Sequence, residues 1–404
     1  MKNYIVIGLF AFTFFASCEK EEFQEKEINT ELENTVEVTS QLNEKEAKTI
    51  LSTILHKEKG KSNSYKSRNP KSVIPLSGQD TKTKFYLANY DEGGFVLLSS
   101  DKRVNPILAF SDEGNFPTDL DNYPSGLVSW LKSGDEYITG IQNGEITPKE
   151  GVEELWNEEV LNTAIIDQER AQKTDTEVVE IISIFDSPIL LSTNWSQQGG
   201  FNDGISSIGC SSSDGRPPSG CVAIAMAQIM KYHEHPSNYN WSNMPNTFAT
   251  SSTAALIKDI GDAVNMDYGC DGSGSNTKDD GLPAMKNTFG YSSAKYGSYS
   301  FYTAKANLDQ GLPLILSGAD YDDWFFFRVR KDGHAWITDG YRIYTLRLKR
   351  TIARGRTIYI TVENNFLHMN WGWGRSDLNG YFNHWSVEGN DFSYEPEMMY
   401  DIKP

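Results

Sequence analysis

The spacing of apolar positions changes several times along the chain. Between Glu44 and His56 they recur at Ala47, Ile50, Leu51, Ile54 and Leu55, the spacing of one helix face. Lys57–Pro70 is rich in Lys, Ser, Gly and Asn and reads as a loop. Short apolar blocks follow. Phe85–Tyr90 and Phe95–Ser99 flank a Gly93-Gly94 turn and predict a hairpin, and Ile107–Phe110 predicts another strand. Leu127–Ile141 returns to helical spacing. Residues 142–180 are charged and weakly patterned, a linker open to proteolysis. A second unit begins near Ile181. Helices are predicted from Cys221, over Ser252–Val264 and over Leu282–Phe289. From Pro313 onward strands are predicted at Leu314–Leu316, Phe325–Val329, Ala335–Thr338, Ile343–Leu348 and Ile358–Val362. Helices followed by a run of strands imply an α+β fold.

The first residues read as a targeting segment. After Lys2, Tyr4–Phe15 is apolar apart from Thr13 and too short to span a bilayer. It ends Phe15-Ala16-Ser17-Cys18, which resembles a bacterial lipoprotein signal over residues 1–17, with Cys18 as the lipidated first residue. Residues 18–36, opening Glu19-Lys20-Glu21-Glu22, would then be a charged tether. The expected destination is the outer membrane, on its periplasmic or cell-surface face, with membrane contact through the lipid anchor only.

The 404 residues carry a formal net charge of −18, which argues against nucleic acid as a partner. No Gly-rich phosphate loop and no HExxH pattern occurs, so no cofactor and no metal is expected. Of four cysteines, Cys18 would carry lipid and Cys221 would stay free. Cys210 and Cys270 either pair or remain thiols.

The strongest chemical signal is Ser219-Gly220-Cys221-Val222-Ala223, opening a long apolar run. It sets a cysteine on the first turn of a buried helix, where free N–H groups and the helix dipole favour thiolate. Alone, such a cysteine is usually an inert small hydrophobe. Two other runs shift the balance. Gly333-His334-Ala335-Trp336 offers a base, and Asn370-Trp371-Gly372-Trp373-Gly374 offers a group to orient it. The remaining histidines fit worse. His233 and His235 stand about 18–21 Å along the helix from Cys221. His56 lies in the first unit, His368 suits a packing role, and His384 has no supporting motif.

Together these motifs resemble the streptopain family of papain-like cysteine peptidases, in its Bacteroidetes-type form. The resemblance is carried by Gly220–Ala223 with Ala227–His233 and Pro236, by Val264–Gly269 with Gly272–Ser275, and by Asn287–Tyr291. Gly333–Ala335 with Asp339-Gly340, and Asn370–Gly374, complete the peptidase motifs. Upstream, Gly94–Val96, Ser99–Arg103, Ile107–Ser111 and Gly114–Phe116 resemble the family's propeptide. The family implies an inhibitory α+β pro-domain with its activation linker over 37–180 and a papain-like peptidase domain over 181–404. It implies an exported zymogen acting on protein or peptide substrates. Cys221 would be the nucleophile and His334 its acid–base partner. Asn370 would orient the imidazole. Gln197, with the Cys221 N–H, would form the oxyanion hole. Trp371 and Trp373 would shield the His–Asn pair and wall the cleft.

The chain departs from the family pattern in three places. The stretch from His334 to Asn370 is much longer, and its extra part, residues 344–364, is basic and β-rich. It is expected to be a hairpin turning near Ala353–Gly355. It is either an insertion at a loop tip or a basic finger for acidic substrate or the acidic pro-region. Arg375 stands where a glycine is usual, and Gly199-Gly200 where a proline is commoner. Two alternatives remain: an inactive homologue serving as a surface binding lipoprotein, against which the intact Cys221, His334 and Asn370 set speaks, and a transpeptidase on the same fold, which the same three residues would serve.

Overall fold

The computed structural model describes residues 40–57, 64–118, 123–162, 179–212, 214–318, 334–352, 355–374, 378–383 and 397–404. Cys18, Arg375, His384 and the strand expected at Phe325–Val329 lie outside them. Residues 40–404 form one compact unit.

Helix α1 (Glu44–Thr53) is started by a capping box: the Asn43 side chain accepts the Glu46 N–H while the Glu46 carboxylate accepts the Asn43 N–H. It buries Ala47 and Leu51. The stretch expected to be loop holds two short strands, β1 (Leu55–Lys57) and β2 (Tyr65–Ser67), paired antiparallel. What stabilises them is tertiary: His56 packs on Tyr90 with ring centroids 3.9 Å apart.

Strands β3 (Pro70–Ser77), β4 (Thr83–Tyr90), β5 (Phe95–Ser99) and β6 (Ile107–Ser111) form a meander that includes the expected hairpin. Helix α2 (Ser125–Asn143) ends at Gly144, which takes the left-handed conformation at φ +76°. The expected linker begins as ordered chain, with a turn at Glu153–Trp156 and the short helix α3 (Glu158–Leu161). Strand β7 (Val179–Asp186) closes that region.

Helix α4 (Cys221–His233) is buried from Val222 through Met230. Helix α5 (Ser251–Ala263) is capped by Thr250. The helix expected at Leu282–Phe289 is a pair of wide π-type turns over 277–288, in which Gly281 N–H reaches the Asn276 carbonyl and Phe289 N–H that of Ala284. Then come β8 (Lys295–Ser298), α6 (Phe301–Leu308) and β9 (Leu314–Gly318). The last strands are β10 (His334–Ile352), β11 (Arg356–Asn370), β12 (Gly380–Asn383) and β13 (Glu397–Tyr400).

Among the described residues one antiparallel sheet runs β3-β4-β5-β6-β12-β11-β10-β9-β13-β8, with β7 also on β10. The first and second units therefore share a sheet. They join where Phe110 and Ala109 of β6 pair with Tyr381 and Phe382 of β12. The expected hairpin is present: after a bulge between Thr338 and Gly340, β10 and β11 pair in register from Gly340↔His368 out to Ile352↔Arg356.

Two apolar clusters cover the sheet around the site. One packs α2 residues Leu127, Trp130 and Leu131 with Trp336, Trp371 and Phe382. The second surrounds α4 with Ile257, Met266, Ile315 and Ile337.

Candidate active site

Cys221 starts α4 because Gly220 precedes it at φ +90°. The positive φ favours glycine here, and a β-carbon would also displace the Met266 thioether, 2.5 Å away. The loop before it is held at several points. Ser219 N–H donates to the Gln197 carbonyl at 2.9 Å, and Ser273 Oγ donates to the Pro218 carbonyl at 2.6 Å. A disulfide joins Cys210, in the preceding loop, to Cys270 in the loop that carries Ser273. This resolves the pairing that spacing left open and leaves Cys221 as a free, partly exposed thiol.

His334 opens β10 opposite Gly318 of β9. Its ring lies close enough to act on the Cys221 thiol by charge and hydrogen bonding. The Ala335 N–H donates to Sγ at 3.4 Å. Burial pushes the thiol pKa up. The hydrogen bond and charge of His334, with the N–H groups of Ala335 and Val222, outweigh that and bring it below the ordinary cysteine value. The site therefore favours thiolate, the nucleophilic form.

Asn370 is buried at the end of β11, opposite Ile337 of β10. Three residues along the strand, about 10 Å, separate Ile337 from His334. Among the described residues none of its hydrogen bonds goes to His334. Its Nδ2 donates to the Thr193 carbonyl at 2.9 Å and to Gln228 Oε1 at 3.4 Å, and its Oδ1 accepts from Gly372 N–H. Gln228 is fully buried two turns after Cys221, and its Oε1 also accepts from the Trp195 N–H at 3.2 Å. It thus ties α4 to both the Trp195–Gln197 segment and the Asn370 loop. Sequence reasoning passed over it. The available signal was a carboxamide inside an otherwise apolar helix, where a buried polar group needs partners.

Gln197 is half-buried and its carbonyl braces Ser219; among the described residues its side chain makes no hydrogen bond. The same segment is stitched to the Asn370 loop through Gly374 N–H, which donates to the Trp195 carbonyl. Trp371 is buried. Its ring lies 5.5 Å from Trp336 and 5.0 Å from Phe382, and its Nε1 donates to the Leu378 carbonyl. Trp373 is partly buried against the same cluster. His368 does more than pack: its Nδ1 lies 2.6 Å from Oδ1 of the buried Asp339. Asp339 in turn accepts Leu191 N–H through Oδ2 and Leu190 N–H through its backbone carbonyl. The pair fixes the start of the peptidase unit against β10. Among the described residues no group of three His, Cys, Asp or Glu side chains is placed to hold a metal ion.

A thiol at the start of a buried helix, close to a histidine on an antiparallel sheet that a separate α+β unit extends, defines a papain-like cysteine peptidase with its pro-domain attached. Comparison with known proteins agrees. Residues 195–238 and 237–382 match the Peptidase C10 family, and residues 39–138 match the Spi protease inhibitor family. Streptopain of Streptococcus pyogenes serotype M1 is 26% identical over 380 residues, covering 82% of each chain. The thiol protease/hemagglutinin PrtT of Porphyromonas gingivalis is 24% identical over 341 residues, covering 74% of this chain and 34% of that one. The solved structure of a Prevotella intermedia prointerpain A fragment has the same fold, with a TM-score of 0.54 and 22% identity, over 82% of this chain and 99% of that one. The chain belongs to the streptopain family: it is a cysteine-type endopeptidase with an inhibitory pro-domain.

Proposed function

We propose that the chain is an exported zymogen whose peptide-bond hydrolysis runs through Cys221, His334 and Asn370. The observation that carries the reading is the Cys221 thiol, held between the His334 ring and the Ala335 N–H at the start of α4. The thiolate adds to the scissile carbonyl, forming the C–S bond. The oxyanion is received by the Cys221 N–H and the Gln197 carboxamide, whose loss costs roughly 10²–10³ in rate. His334 gives its proton to the leaving amine as the C–N bond breaks. Water then attacks the thioester, His334 takes its proton, and the acid product leaves as the C–S bond breaks. Asn370 orients the imidazole in the released enzyme; in the chain with its pro-region attached its carboxamide is engaged by Thr193, Gln228 and Gly372. Trp371 and Trp373 wall the cleft. Cys18 carries the lipid that holds the exported protein at the outer membrane.

Replacing Cys221 by Ala tests this directly: both self-processing and peptide cleavage should disappear, and activity surviving in that variant sinks the mechanism. An epoxide thiol-protease inhibitor should label Cys221 after activation; no adduct would mark an inactive homologue. Added amine acceptor should yield no more than minor ligated product; ligation as the main outcome would mark a transpeptidase. A lipid-sized mass increase on an N-terminal peptide beginning at Cys18 tests the anchor.

A further inference from the structure

The β10–β11 hairpin reaches well beyond the catalytic pair. Leu348 lies fourteen residues after His334 on one strand, about 46 Å along it. Strand alternation gives the hairpin two faces. Tyr344, Leu346 and Leu348 of β10, with Ile360 and Val362 of β11, share one face and are buried; Arg347, Lys349, Tyr359 and Thr361 on the other are exposed.

The buried face is covered by the pro-region. Leu155, Val160 and Leu161 lie in the same apolar cluster as Leu346, Leu348, Ile360 and Val362. The fit is close at Gly151, where a β-carbon would lie 2.6 Å from Val362 Cγ2 and 3.2 Å from Ile360 Cγ2. Charge matches shape. Arg350 is ion-paired with Glu154, and Glu150 and Glu153 add to the field around its guanidinium. The covering segment is itself anchored to the pro-domain. Trp156 Nε1 donates to the Val104 carbonyl at 3.0 Å, and Asn162 Oδ1 accepts the Leu55 N–H at 2.7 Å.

We propose that this hairpin face is a dedicated dock for pro-region residues 151–161, and that it keeps the pro-domain bound after the chain has been cut between residues 163 and 178. Strand β7 pairs with β10 from Arg342 to Leu348 and lies on the peptidase side of such a cut, where its Ile184 adds to the same apolar cluster. The dock stands apart from the catalytic groove, so a single cut leaves a two-chain complex, and release becomes a separate step. The biological use of the dock rests on the zymogen reading, but its test does not.

In the full-length Cys221→Ala chain, a recognition sequence for a site-specific protease is placed between residues 163 and 178 and then cut. Size exclusion and native mass spectrometry at micromolar concentration report whether the halves stay together. They should co-elute as a one-to-one complex. Leu348→Asp, a change on the dock face, should raise the dissociation rate at least tenfold. Arg350→Glu should raise it as well, and Arg350→Glu combined with Glu154→Arg should recover part of the loss. Halves that separate as soon as the unsubstituted chain is cut overturn the proposal. So does a dissociation rate unmoved by both Leu348→Asp and Arg350→Glu. Because the added protease makes the cut, neither result depends on Cys221 chemistry.

Discussion

Gly126 of the pro-region lies directly against Trp336, two residues after His334: a β-carbon there would stand 2.6 Å from the Trp336 Cε3 and 3.1 Å from the Trp371 Cζ3. Helix α2 reaches the strands of the catalytic site at this point because it carries no side chain. Gly126→Val should therefore push α2 away from both tryptophans. Overpacking of this kind costs roughly 1–3 kcal/mol. Processing of the purified zymogen, followed by mass, should run about tenfold faster, while Gly126→Val in the Cys221→Ala chain still melts cooperatively. Processing at the unsubstituted rate would show that this contact does not restrain activation.

Gln228 acts on the site through its neighbours. Replacing it by Leu removes the acceptor for the buried Trp195 N–H and for Asn370 Nδ2. An unsatisfied buried donor costs about 1–3 kcal/mol. The displaced segment includes Gln197, so kcat should fall roughly tenfold with little change in KM. Gln228→Glu keeps an acceptor oxygen and should restore part of kcat. Equal losses in the two variants would reduce Gln228 to a packing residue.

Thiol reductant has opposed effects here. It keeps Cys221 as a free thiol, and at higher strength it opens Cys210–Cys270, which closes a loop of sequence separation 60 beside Cys221. By the chain-entropy relation a loop of that length stabilises by about 4 kcal/mol. Activity should rise and then fall with increasing reductant. The Cys210→Ser/Cys270→Ser double variant should melt lower and lose the falling limb. A falling limb that persists in the double variant would locate the loss elsewhere.

His56 is buried in the pro-domain, and burial first, with the Arg68 charge second, pushes its pKa down from 6.5 to about 3. The folded state thus holds it neutral while the unfolded chain protonates near 6.5. Its contribution is complete above that pH and is lost as pH falls toward 3. At pH 4 the loss amounts to about 3 kcal/mol. Melting of the Cys221→Ala chain at pH 7 and pH 4 measures it. His56→Phe, which keeps a ring against Tyr90, should shrink the difference between the two melting temperatures; an unchanged difference assigns the acid sensitivity to other groups.

Where a signal was local, the residues announced the structure. The α4 helix follows from a run of small and apolar residues after one cysteine. The hairpin of residues 344–364 was legible because alternation along Ile343–Leu348 and Ile358–Val362 has period two. Short strands were missed where neighbours stabilise them, as with β1 and β2 beneath Tyr90 and β7 on β10. Propensity is weak in such segments, and packing decides.

By itself, the order of residues singled out the groups proposed to carry the chemistry: a thiol at a helix start, a histidine after a glycine, a carboxamide between strand and loop. It also showed that residues 344–364 form a hairpin, but not that one of its faces is buried. Only the tertiary structure decided what meets what. The Ala335 N–H reaches Cys221 across 114 residues of chain, Cys210 finds Cys270, and the hairpin face finds the pro-region rather than solvent. A hydrophobic pattern is non-directional: it states that a surface leaves water and leaves its partner open. Closing those long loops is a choice among many pairings, made by the packing of the whole fold.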